Sequence, residues 1–148
     1  MKTTFIGLLF LVAPYINAQE KIRTFQLSDA PRYSEETGYG YDLTDTPEKG
    51  SKAPFFFSVR VPDGNYQVTV RLGNKKQAGV TTVRGESRRL FIDNLATQKG
   101  QFVDETFIVN KRNPRISEKE SVRIKPREKA KLNWDDKLTL EFNGDAPV

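Results

Sequence analysis

The chain has 148 residues, 24 Lys plus Arg against 19 Asp plus Glu, and neither histidine nor cysteine. Ser-His-Asp and Cys-His catalysis need an imidazole that exchanges a proton near neutral pH, so those mechanisms are excluded, as are disulfide frameworks. The length suits one domain, whose stability must come from a hydrophobic core alone, and the basic balance favours anionic partners without choosing among them.

The first eighteen residues have the layout of a secretion leader. Lys2 supplies the positive start, residues 5–12 are apolar, and Ile16-Asn17-Ala18 offers a cleavage site before Gln19. The apolar run is too short to cross a bilayer, so no membrane span is expected. The expected products are a signal peptide over residues 1–18 and a single exported domain over 19–148, periplasmic or extracellular. A lipid-modified leader would require a cysteine after the cut, and there is none.

Downstream, the dominant signal is alternation with period two. A first candidate strand covers residues 22–27. Residues 28–52, rich in Asp, Glu, Gly, Thr and Tyr, form a long loop with one short strand at 39–43. In residues 55–61, Phe55, Phe57, Val59 and Val61 face one way, and Phe56, Ser58 and Arg60 the other. Pro62-Asp63-Gly64-Asn65 is turn chemistry, and Tyr66, Val68, Val70 and Leu72 then alternate with Gln67, Thr69 and Arg71. This predicts a hairpin over 55–72. Further strands are expected at 79–83, 88–95, 102–110, 121–125 and 137–143, with a polar loop at 110–119. Many short strands with no helices between them predict an all-β, antiparallel β-sandwich, preferably a jelly roll.

Four strings carry a family likeness. Thr37-Gly38-Tyr39-Gly40-Tyr41, Pro62-Asp63-Gly64-Asn65-Tyr66-Gln67-Val68-Thr69-Val70, Glu86-Ser87-Arg88-Arg89-Leu90, and Asn133-Trp134-Asp135-Asp136-Lys137-Leu138-Thr139-Leu140-Glu141-Phe142-Asn143-Gly144 resemble the N-terminal, galactose-binding-like β-sandwich of bacterial rhamnogalacturonan acetylesterases. In those enzymes the sandwich precedes an SGNH-type esterase domain that deacetylates pectin. The Gly-Asp-Ser block and the Asp-x-x-His pair of such an esterase do not occur in this sequence, and Gly144-Asp145-Ala146 lacks the serine. The resemblance therefore implies a non-catalytic accessory domain. Its implied partners are pectic polysaccharide or an SGNH-type esterase domain against which it packs.

Gly85-Glu86-Ser87-Arg88-Arg89 has the outline of a nucleophile elbow, but Arg89 replaces the second glycine and no histidine exists to activate Ser87. Asp135 and Asp136, adjacent at a strand entrance, point to opposite faces and make a poor glycosidase pair. With Asp42 and Asp45 they offer oxygen ligands for a structural calcium, although no spacing defines a site and no cofactor is assigned.

The contact candidates are Trp134, Tyr39, Tyr41, Arg88 and Arg89. Trp134, the single tryptophan, serves equally as a sugar platform or as a core plug or domain anchor. Tyr39 and Tyr41 share one side of a strand, where packing at the sandwich edge is favoured over ligand contact. Arg88 and Arg89 alternate, so one faces solvent while the other needs a partner such as Glu86 or Asp93; functionally, a guanidinium fork suits a galacturonate carboxylate. Arg123, Lys125, Arg127, Lys129 and Lys131 form a basic stripe that is read as a solvated face. No nucleic-acid motif accompanies it. The alternatives to a glycan-binding domain are a purely structural partner of an esterase domain and a stand-alone basic interaction module.

Overall fold

The computed structural model describes residues 21–43, 54–126 and 134–145. Seven antiparallel strands run through them: β1 (Tyr39–Asp42), β2 (Phe55–Arg60), β3 (Gly64–Leu72), β4 (Gly79–Gly85), β5 (Arg89–Thr97), β6 (Val103–Lys111) and β7 (Lys137–Asp145). They form a five-stranded sheet in the order β1-β2-β7-β4-β5 and a two-stranded sheet of β3 and β6. Between the two lies one core. This is the expected all-β sandwich class. The proposed signal peptide, Asp45, and Arg127, Lys129 and Lys131 of the basic stripe lie outside the described residues.

Alternation explains how the layers meet. Phe55 and Phe57 of β2 pair in register with Phe142 and Leu140 of β7, and all four are buried on the inner face. Phe55 stacks on Phe142 with ring centroids 4.9 Å apart. From the small sheet, Leu72 and Val109 complete the buried cluster, and Phe107 stacks on Phe91 of β5 at 4.5 Å. Burying each such side chain contributes about 2 kcal/mol, which is the main term holding the layers together.

The expected 55–72 hairpin does not form. β2 pairs with β1 and β7, whereas β3 pairs only with β6. Pro62 and Asp63 carry the chain across from one sheet to the other. Both strands still turn their apolar side chains inward, because facing sheets make the same period-two demand as a hairpin does. Three contacts fix the crossover: Val61 N–H donates to the Asp136 carbonyl (3.2 Å), the Tyr66 hydroxyl donates to the Pro62 carbonyl (2.8 Å), and Asp63 Oδ1 accepts the Asn113 N–H (3.0 Å).

Two further expected strands are absent. Residues 22–27 are irregular and lead into a short 3₁₀ turn, Leu27–Asp29. Phe25 nevertheless packs on Tyr39 (4.9 Å) and Phe57 (5.6 Å), and the Tyr41 hydroxyl donates to the Leu27 carbonyl (2.8 Å). The segment thus covers the β1–β2 part of the large sheet with side chains while bringing no strand ladder. In 121–125 only Ser121 forms a bridge, to Arg115. The remaining expected strands lie within a few residues of β1 and of β4 to β7.

Candidate functional site

Parts of all four family-like strings reach one end of the sandwich, the first of them through Gly38, whose carbonyl accepts the Arg60 N–H (2.7 Å). The crossover at Pro62 and Asp63, the turn from β4 to β5 at Glu86 to Arg88, and the entrance to β7 at Trp134 to Asp136 lie there, with the end of β6 at Asn110 and Lys111. Antiparallel register requires this: Lys137 is opposite Arg60, Gly85 opposite Leu140, and Gly64 opposite Lys111.

Glu86 is the organising residue. It adopts a left-handed φ of 49°, followed by Ser87 at 77°, a conformation that side chains rarely take. Its N–H donates to the Thr139 carbonyl (3.0 Å), continuing the β4–β7 ladder by one step. Its carboxylate Oε1 then accepts the Thr139 N–H (3.1 Å). The side chain thus takes the bond that a continuing strand would have made with its main chain, and two bonds to one residue hold the strained turn in place. Glu86 is only 5% exposed. That burial, helped by the nearby Asp135 charge, pushes its carboxyl up to about 7, against the opposing effects of the Thr139 N–H, Arg89 and Lys111.

Around it stand charges from every neighbouring segment. The Lys111 ammonium, whose side chain is 3% exposed, bonds Asp63 Oδ1 at 2.8 Å, and this contact first of all holds the Asp63 carboxyl below its ordinary value. Asp135 Oδ1 accepts the Lys137 N–H (2.9 Å), and burial raises its carboxyl despite that bond. Arg89 donates from Nη1 to the Asn110 carbonyl (2.8 Å), tying the turn to β6. Arg88 points into solvent. Trp134, half-buried with a φ of 69°, lies under the Arg112 guanidinium, 4.7 Å from its ring centroid.

Trp134, Arg88 and Arg89 therefore gather at this end, whereas the two tyrosine rings turn inward. Tyr41 is 4% exposed, with its hydroxyl spent on Leu27 and raised in pKa by burial; Tyr39 packs against Phe25. Both rings face the core because Tyr39 and Tyr41 lie opposite Val59 and Phe57, on the inner side of the sheet. The Tyr41 ring is buried and has no face to offer a ligand, while the half-buried Tyr39 ring is occupied by Phe25.

The aspartates considered for calcium serve separate partners. Burial alone would raise Asp42, but Lys137 Nζ at 2.6 Å and the Ser58 hydroxyl outweigh it and hold the carboxyl below its ordinary value. Asp136 faces Arg60 (3.3 Å), and Asp135 caps the β7 entrance. No group of three or more potential metal ligands occurs among the described residues.

Sequence reasoning named Glu86 only as a possible partner of an arginine, and Lys111 and Arg112 not at all. Lys111 sits at a position of β6 whose neighbours two residues apart, Phe107 and Val109, face inward, so the alternation itself marks it as a lysine aimed between the sheets. Among the described residues, no helix is long and apolar enough to cross a membrane. Comparison with family models, curated proteins and solved structures gave no match to this chain.

Proposed function

We propose that this protein is a non-catalytic, galactose-binding-like jelly-roll domain of an exported pectin-directed system, and that it holds acidic polysaccharide at the end bearing Trp134, Arg88 and Arg89. The observation that carries the reading is the convergence of that indole and those guanidinium groups from segments far apart in the chain. They sit on a turn fixed by Glu86 and on the strained entrance to β7. An indole face suits the apolar side of a sugar ring, and a planar guanidinium suits a uronate carboxylate. Strain held in place by side-chain bonds at a surface rim is a recurrent property of ligand sites. In the sequence family that the chain resembles, such a domain accompanies an esterase, so the reading includes that enzyme domain as a partner.

The test is affinity electrophoresis in gels containing rhamnogalacturonan, polygalacturonate or a neutral β-glucan, at low and high salt. The native chain is expected to be retarded by the acidic polymers and not by the glucan. Arg88→Ala and Trp134→Ala should each weaken retardation by roughly tenfold, the effect of losing a central contact. Arg88 is exposed, so its variant should unfold at the same urea concentration as the native chain. Retardation that is equal in both variants and the native chain would remove the site; retardation abolished by moderate salt would reduce it to diffuse charge attraction.

A further inference from the structure

The rim carries more charge than a ligand platform requires, and part of it is buried. Glu86 faces Arg89 of β5, Lys111 of β6 and Asp135 ahead of β7, with Arg88 on its own turn. Lys111 in turn bonds Asp63 ahead of β3, and Asp135 lies beside Asp136 and Lys137. Two carboxylates, Glu86 and Asp135, thus share the field of Lys111 from inside the protein, and Glu86 shares that of Arg89. One of the five N–H donors of the Arg89 guanidinium is spent on the Asn110 carbonyl, which fixes the group at the rim instead of letting it follow Glu86 inward.

We propose that this end takes up acidic glycan under proton control: ionised Glu86 offsets the positive field of Arg89 from behind, and a proton on Glu86 releases that field to a ligand carboxylate. The inference rests on the glycan-binding reading and adds its regulation. The proton comes from solvent and no covalent step is involved. Protonation leaves the turn intact, because a neutral carboxyl still presents a carbonyl oxygen to the Thr139 N–H. A uronate stays ionised throughout the range in which a buried carboxyl near 7 changes charge, so the ligand's charge is constant while that of the site changes. Ligand retention should therefore increase toward weak acid.

Two measurements decide it. The first is the carboxyl carbon resonance of Glu86 followed with pH in the native chain and assigned by its absence from Glu86→Gln. The second is retention on immobilised polygalacturonate at about pH 5.5 and about pH 8.5 at one salt concentration, for the native chain and Glu86→Gln. The expected result is a Glu86 transition near 7, native retention roughly fivefold stronger at the lower pH, and Glu86→Gln retained equally at both. A Glu86 transition in the ordinary carboxylate range overturns the inference whatever the retention. So does a native pH dependence that Glu86→Gln preserves, or a transition near 7 with retention unchanged across it; in those cases the glycan site stands without its control. Absence of retention by both proteins at both pH values overturns the glycan reading itself, and the inference with it.

Discussion

Two groups of positions in the sandwich meet the same demand, a backbone forced into left-handed or close-packed geometry, with different residues. At the end opposite the candidate site, Gly73 (φ 131°) and Gly144 (φ 132°) do the work, and a Cβ on either would sit 2.1 Å from the Gln101 carbonyl oxygen or 2.0 Å from that of Val80. At the site end Gly38 (φ 66°) is joined by the left-handed Glu86, Ser87 and Trp134, of which Glu86 bonds Thr139 and Trp134 lies against Arg112, while at the opposite end Leu43 (φ 65°) is left-handed as well. Glycine is the inexpensive solution wherever only the path of the chain matters. Glu86 uses its side chain at such a position to bond the Thr139 N–H, which a glycine there could not do.

The largest expected effect breaks this contrast at its glycine side. Gly144→Ala places a methyl group against backbone that cannot move without opening the β4–β7 ladder, so it should destabilise by roughly 3 kcal/mol or more, read as a lower urea midpoint. The opposite substitution, Ser87→Gly, relieves a left-handed serine while loosening the unfolded chain, and these effects nearly cancel. Its midpoint should stay within about 0.5 kcal/mol of the native value. A large loss from Ser87→Gly would mean that the serine is structural.

A smaller effect sharpens the contrast through pH. Glu86 is raised from 4.5 to about 7 in the folded protein, so the folded state binds its proton more readily than the unfolded chain. Its contribution to stability is complete below about 4.5 and is lost as pH rises through about 7, amounting to at most about 3 kcal/mol. Asp42 and Asp63, held below their ordinary values, act in the opposite sense, and their contribution is lost as pH falls below the usual aspartate range. Together they place maximum stability in weak acid. Glu86→Gln keeps the acceptor for Thr139 without the charge. It should match the native chain near pH 4.5 and exceed it by about 2 kcal/mol near pH 8.5, measured by urea unfolding at each pH.

Much of the fold was legible because burial alternates along the strands: Phe55, Phe57, Leu138, Leu140 and Phe142 announce an inner face by spacing alone. What period two cannot express is which strand lies beside which. Pro62-Asp63-Gly64-Asn65 has the composition of a hairpin turn, and only the pairing of β2 with β7, about eighty positions away in sequence, decides that it is a crossover. The site was legible in the same partial way. Arg88, Arg89 and Trp134 are visible as chemistry, but Glu86 acquires its role from Thr139, 53 residues later, and Tyr39 and Tyr41 lose theirs to a core that only the assembled sheet creates.

The last effect concerns the outer face of the large sheet, beside the strand position that holds Glu86. Ser58 Oγ and Thr139 Oγ1 lie 2.8 Å apart with both residues almost fully buried, on the side of β2 and β7 opposite the aromatic core. The Asp42 carboxylate, held by Lys137, can only accept, so the Ser58 proton goes to it and the Thr139 hydroxyl donates to Ser58. Ser58→Ala leaves one buried hydroxyl without its acceptor and removes a donor from Asp42, a loss of about 1 to 2 kcal/mol. Adding Thr139→Val should return most of that loss, because an apolar pair of the same shape has no unmet donor, while the Thr139 backbone bonds to Glu86 remain. If the double variant were as unstable as the sum of the two single ones, Thr139 would hold the Glu86 turn through its hydroxyl as well as its main chain, and the quiet outer face would belong energetically to the site end.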